Sequence, residues 1–128
     1  MTKPATHRLG DLQLKIMQAL WDRPEATVAE VHQALGPESS LAYTTVATML
    51  RKMEARGLVD HRNEGRSFVY RAVIAADEVT RSMADHLLDR LFQGSLSEMV
   101  THLLANREVS PEELKQLERL IAARRRRT

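Results

Sequence analysis

The sequence predicts a mainly α (α+β) chain, with a winged helix-turn-helix domain over residues 1–74 followed by an all-helical module over residues 75–128. Three observations carry that expectation. Residues 41–57 read as one helix with two incompatible faces, one apolar and one of short hydroxyls and long cations. A two-stranded pattern follows at once. From residue 77 onward, apolar residues recur only at helical spacing.

Taken in order, Leu9, Leu12, Ile16, Met17, Leu20 and Trp21 mark a first helix between Asp11 and the stop at Pro24. Thr27-Val28-Ala29-Glu30 reads as a capping box, in which the hydroxyl and the carboxylate each satisfy an orphan backbone N–H. The second helix turns Val28, Val31, Ala34 and Leu35 inward and ends at Gly36-Pro37. In the third, Val46, Met49, Leu50 and Met53 form the core seam, and Gly57 is placed as a left-handed cap. Residues 58–62 and 67–71 then read as short strands joined by Asn63-Glu64-Gly65-Arg66.

The outward stripe of the third helix holds Thr44, Thr45, Thr48, Arg51 and Lys52. Solvent faces usually carry Glu, Gln and Lys. Threonine is a mediocre helix former and gains nothing on a plain solvent face, whereas its hydroxyl and methyl suit base edges and the cations suit phosphates. The stripe is therefore expected to read double-stranded DNA. A winged fold that binds protein instead of DNA is the alternative the residues leave open.

Net charge is only +2, but its distribution is informative: Arg51, Lys52, Arg56, Arg62, Arg66 and Arg71 cluster on the recognition helix and wing. The run from Arg124 to Arg127 is either a solvated helix end that complements the dipole or a further phosphate contact. With no cysteine, the chain has no disulfide framework and no thiolate metal site. No apolar run approaches the ~18 residues of a membrane span, and the polar start lacks a signal peptide's apolar core. The expectation is a cytoplasmic chain without membrane insertion. His7, His32, His61, His86 and His102 show no helical chelate spacing, and the nearest pair, His86 with Asp89, lacks further ligands, so no metal or cofactor is expected. There is no Gly-rich phosphate loop, and Ser39, Ser40 and Ser67 sit beside no base. No catalytic residue is expected, and no enzyme.

The second half begins at the seam near Val73-Ile74-Ala75-Ala76. Residues 77–93 repeat Val79, Met83, Leu87 and Leu91, flanked by Ala84, Leu88 and Phe92, until Gly94 breaks the helix. Ser95-Leu96-Ser97-Glu98 reads as a capping box for a helix carrying Leu96, Met99, Val100, Leu103 and Leu104. Ser110-Pro111-Glu112-Glu113 starts the last, with Leu114, Leu117, Leu120 and Ile121 as its buried seam. Three short helices with wide apolar faces require a surface to cover them. A second copy fits best, with Met83, Leu87, Leu91, Phe92, Met99, Leu103 and Leu117 at the contact. A two-fold dimer would set two recognition helices about one DNA turn apart, matching a palindrome. A monomer whose helices fold back on the winged domain is the other possibility.

Several motifs run in order through the chain. They are Leu9-Gly10-Asp11-Leu12 with Met17 and Leu20-Trp21; Thr27-Val28-Ala29-Glu30-Val31; Leu41-Ala42-Tyr43-Thr44-Thr45-Val46; Gly57-Leu58-Val59; and Gly65-Arg66 with Tyr70. Leu88-Asp89-Arg90-Leu91-Phe92-Gln93-Gly94-Ser95 and Ser110-Pro111-Glu112-Glu113-Leu114 complete the set. Together they resemble the penicillinase-repressor family of the BlaI, MecI and CopY type. The resemblance implies a bacterial winged-helix dimer that represses antibiotic-resistance, copper or stress genes. It implies DNA contacts from Tyr43, Thr44, Thr45, Thr48 and Lys52 and from Arg66 of the wing, on dyads built from TACA and TGTA. It implies dimer contacts around Leu87, Leu91 and Phe92 and on the two helices after them. Copper-responsive members end in a cysteine cluster that this chain lacks. Drug-responsive members are cut at an Asn-Phe bond, which implies a membrane metalloprotease receptor as a partner; His102-Leu103 stands at that bond here.

Overall fold

The computed structural model describes residues 9–127, so that His7 and the rest of residues 1–8, with Thr128, lie outside the described residues. The elements are α1 (Asp11–Asp22), β1 (Ala26–Thr27), α2 (Val28–Leu35), a 3-10 turn (Pro37–Ser39), α3 (Tyr43–Ala55), β2 (Val59–Glu64), β3 (Ser67–Ala72), α4 (Ala76–Phe92), α5 (Leu96–Ala105) and α6 (Pro111–Arg127). They form a winged-helix α+β unit and then an all-helical one. Two compact units are distinguishable, the first ending at His86 and the second beginning at Leu87.

In the first unit, α1 buries Ile16, Met17 and Leu20 and ends two residues before Pro24. Arg23 has already turned extended there, at φ −143 and ψ 143, as a residue preceding proline prefers. The capping box of α2 forms as its spacing demands: the Thr27 hydroxyl accepts the Glu30 N–H at 3.2 Å, and the Glu30 carboxylate accepts the Thr27 N–H at 2.8 Å. Val28 and Val31 are buried, but Ala34 is exposed. The inward reading of Ala34 is corrected because it lies at the edge of the stripe, and a methyl group gains too little there to turn the helix.

α3 ends in a Schellman motif. Gly57, at φ +79, donates its N–H to the Glu54 carbonyl at 2.9 Å, and Leu58 donates to Met53 at 3.0 Å. The hairpin is tighter than the sequence suggested. β2 runs on to Glu64, which pairs with Ser67, leaving Gly65-Arg66 as a two-residue loop. Gly65 takes φ +63, the left-handed position such a loop requires at its first residue.

One strand was not foreseen. Ala26 and Thr27 pair with Tyr70 and Val69, making a three-stranded sheet in the order β1-β3-β2. The core beneath it is continuous, with Ile16, Val46, Leu50 and Met53 fully enclosed, and it includes Val79 from the start of α4. The Trp21 indole N–H donates to the Ile74 carbonyl at 2.8 Å, tying the end of α1 to the segment after β3.

The second unit is built differently. α4 closes with Gln93 and Gly94 both left-handed, at φ 48 and 81. The capping box expected at Ser95 forms by half: its hydroxyl accepts the Glu98 N–H at 3.2 Å, but its own N–H goes to the Phe92 carbonyl at 2.8 Å and not to Glu98. The tight turn after α4 supplies that acceptor. Ser110 caps α6 through the Glu113 N–H at 3.1 Å. Two of the three C-terminal helices are not short, for α4 and α6 each span 17 residues. No residue of α5 or α6 is buried, so Leu114, Leu120 and Ile121 form no buried seam within this chain. Among the described residues no helix is long and apolar enough to cross a membrane.

Candidate nucleic-acid interface

α3 presents its two stripes as separate faces. Val46, Leu50 and Met53 are fully enclosed, whereas Thr44, Thr45, Thr48, Arg51 and Lys52 are exposed. At 3.6 residues per turn, Thr48 lies about 160° around the helix from both Val46 and Leu50. It therefore stands at the centre of the outward face. Thr44, Thr45, Thr48 and Lys52 line a shallow concavity of ≈ 270 Å³. A second groove of ≈ 340 Å³ brings Tyr43 and Arg51 together with Arg66 and Phe68 of the wing and the start of α2. Arg51 Nη2 reaches back to the Thr48 hydroxyl at 3.3 Å. The expected DNA-facing residues thus fall into two groups, one along the helix and one between helix and wing.

The basic cluster is smaller than the sequence suggested. Arg62 is held by Glu25 at 2.9 Å and by Glu64 at 2.9 Å, and Arg71 by Asp60 at 2.6 Å. These pairs brace the sheet. The hydrogen bond from Arg62 holds the Glu25 carboxyl below its ordinary pKa, and that from Arg71 does the same for Asp60. Arg56 donates to Gln13 Oε1 at 3.1 Å. Arg51, Lys52 and Arg66 have no carboxylate partner among the described residues, and theirs are the charges the surface offers outward.

The wing is joined to the recognition helix by the pair of His61 and Glu54, and aromatic contacts run within the wing and between α2 and α3. His61 Nδ1 lies 2.7 Å from Glu54 Oε1, and its ring stacks on Phe68 at 4.1 Å with 17° between planes. Tyr70 is pushed above the ordinary phenol pKa by burial and then by the charge of Glu54. Tyr43 meets His32 edge-on at 6.1 Å, while His32 Nε2 lies 2.7 Å from the Leu41 carbonyl and so fixes the approach to α3. Phe68 and Tyr70 were missed as site residues. Their signal was strand alternation, which puts residues two apart on one face, with His61 opposite Tyr70 across the ladder. No group of three or more potential ligands that could hold a metal occurs among the described residues.

The expected association residues divide. Met83 packs against the core of the first unit. Leu87, Leu91 and Leu103 are exposed, and Phe92, Met99 and Leu117 half-buried. His102 and Leu103 lie exposed in α5, with the His102 carbonyl accepting the Asn106 side-chain amide at 2.8 Å and its backbone N–H at 3.2 Å.

The family described as penicillinase repressor matches residues 9–123. The chain is 29% identical over 114 residues to the penicillinase repressor of Bacillus licheniformis, covering 89% of each protein. It is 36% identical over 117 residues to the transcriptional regulator BlaI of Mycobacterium tuberculosis, covering 90% of this chain and 83% of that one. The solution structure of the DNA binding domain of the repressor BlaI superposes with a TM-score of 0.51 at 28% identity, over 58% of this chain and 90% of that domain. With likeness in sequence spanning both units and likeness in fold spanning the winged one, the chain belongs to the penicillinase repressor family.

Proposed function

We propose that the chain is a homodimeric transcriptional repressor that sets α3 of each copy into successive major grooves of a palindromic operator. Membership in a family of DNA-binding repressors makes it a regulator of transcription and not an enzyme. The observation that carries the finer reading is the exposed face of Thr44, Thr45, Thr48 and Lys52, directly opposite the enclosed seam of α3. Short hydroxyls there reach base edges. Tyr43, Arg51, Lys52 and Arg66 reach the backbone, the last from the turn of the wing. Residues 1–74 hold the DNA, residues 75–128 hold the second copy, and the chain works in the cytoplasm. The exposed Leu87, Leu91 and Leu103, with half-buried Phe92, Met99 and Leu117, supply the apolar face for that copy.

The test separates base reading from phosphate binding. Thr48→Ala is expected to reduce discrimination between a TACA and TGTA dyad and random DNA by about 1–3 kcal/mol for each base edge that it no longer reads. Lys52→Ala is expected to weaken both alike and to reduce the salt slope by about 1. Fluorescence anisotropy at several salt concentrations measures both. Equal losses on dyad and random DNA for Thr48→Ala would sink the assignment of that face.

Release by cleavage in α5 is the regulatory half of the proposal. A cut between residues 97 and 107 would split the association unit and spare the winged one. The bond at His102-Leu103 lacks the Asn-Phe pair and is held in helix by the bonds from Asn106. A membrane metalloprotease receptor of the drug-responsive kind is therefore expected to leave it intact. Co-expression and fragment mapping by mass spectrometry decide this, and efficient cutting at His102-Leu103 would show that such a protease reads the helix and not its side chains.

A further inference from the structure

The groove between α2, α3 and the wing is assembled from groups that suit an anion. Arg51 and Arg66 both line it, and no acidic residue does. That is unlike the surroundings of Arg62 and Arg71, which are held by carboxylates. Ala29, at the second position of α2, also lines it. The capping box occupies the N–H groups of Thr27 and Glu30, and the Ala29 N–H has no acceptor within the helix. Tyr70 supplies an independent indication. Its side chain is 1% exposed, yet it lines the same groove, and its hydroxyl makes no hydrogen bond among the described residues. A hydroxyl that reaches the groove without a partner keeps its O–H free to donate to a ligand there. The enclosed ring leaves only its polar end at the groove, and a phenol whose pKa is raised stays a donor.

We propose that this groove seats one backbone phosphate of the bound duplex. Arg51 and Arg66 supply the charge, and the Ala29 N–H and the Tyr70 hydroxyl supply fixed donors. The inference rests on the DNA-binding reading and adds a site to it. Its chemistry sets it apart from the threonine face of α3: a phosphate is the same beside every base, so the seat contributes affinity and register without sequence preference. It also gives Tyr70 a second task beyond packing. The ring belongs to the core of the winged unit, so a hydroxyl anchored there does not move with the wing tip as a long side chain does.

The test uses the full chain and duplexes carrying either the dyad or random sequence. Tyr70→Phe keeps the ring in the core and removes only the hydroxyl; it is expected to lose about tenfold in affinity on both duplexes. Arg66→Gln is expected to lose affinity on both and to reduce the salt slope by about 1. Replacing single linkages by neutral methylphosphonates should reveal one position where Tyr70→Phe weakens less than wild type does, because only the hydroxyl's share of the contact is already gone. If wild type binds the duplexes while Tyr70→Phe equals it at every linkage, the seat is overturned and the DNA-binding reading stands. If wild type binds no duplex, that underlying reading fails instead. Inorganic phosphate titrated at constant ionic strength tests the other source of the same chemistry. A saturating shift of the Ala29 amide resonance, with DNA affinity unchanged in Tyr70→Phe, would assign the groove to a free anion and overturn the proposal. Should Tyr70→Phe lower the melting temperature sharply, Arg66→Gln on the exposed turn carries the same linkage scan with the same opposing outcomes.

Discussion

Met53→Asp is expected to unfold the winged unit and to abolish DNA binding with it. Met53 is fully enclosed among Val46, Leu50 and Leu58, and among the described residues no cation is enclosed there to partner a carboxylate. A buried, unpaired charge costs several kcal/mol even after relaxation. A domain of this kind has only about 5–15 kcal/mol in total. The damage would also spread along the chain, because the Met53 carbonyl accepts the Leu58 N–H that leads α3 into β2. Far-ultraviolet circular dichroism and a thermal melt measure the outcome. A variant with native ellipticity and melting temperature would mean that the seam of α3 is wrongly phased, and the outward face of Thr48 with it.

A chain ending at His86 is expected to remain folded, to be monomeric, and to bind the dyad about 10²–10⁴-fold more weakly than the whole chain. The factor is what a second, tethered binding event adds when two half-sites are engaged together. The cut point matters. Val79 is 1% exposed in the core of the first unit, so ending the chain at residue 76 removes a buried side chain and should lower the melting temperature as well. Sedimentation equilibrium with anisotropy on the dyad separates the two effects. Unchanged affinity in the chain ending at His86 would show that the exposed apolar faces of α5 and α6 do not serve to hold two copies on DNA.

What could be read from the sequence, and what could not, follows from distance along the chain. The Thr27 capping box, the Gly57 cap and the seam of α3 depend on residues three to five apart, and their spacing alone specifies them. β1 was invisible because two residues carry no period, and Ala26 is defined as strand only by Tyr70, far downstream. The pairing of Arg62 with Glu25 spans 37 positions, so a cation that looked free in the sequence is neutralised in the fold. Ser95 shows the limit even at short range, since its N–H chose a carbonyl of the preceding turn over the Glu98 carboxylate. For the candidate site, the polar stripe of α3 was legible from periodicity. The groove behind it was not, because it is assembled from α2, α3 and the wing, and its tyrosine looks from sequence like an ordinary strand residue.

The bond from Trp21 to Ile74 makes the molecule its own optical probe. The chain has one tryptophan, and its indole N–H is held at 2.8 Å by a carbonyl at the exit of the sheet. Loss of that bond to water should shift the emission to longer wavelength. α5 and α6 contain no tryptophan, so the signal is silent about their melting, whereas circular dichroism weights every helix, including the 17 residues of α6. A denaturant titration followed both ways therefore asks whether the two units come apart together: coincident curves mean one cooperative transition. An earlier loss of ellipticity at constant emission would be the spectroscopic trace of the C-terminal helices melting while the winged unit still stands.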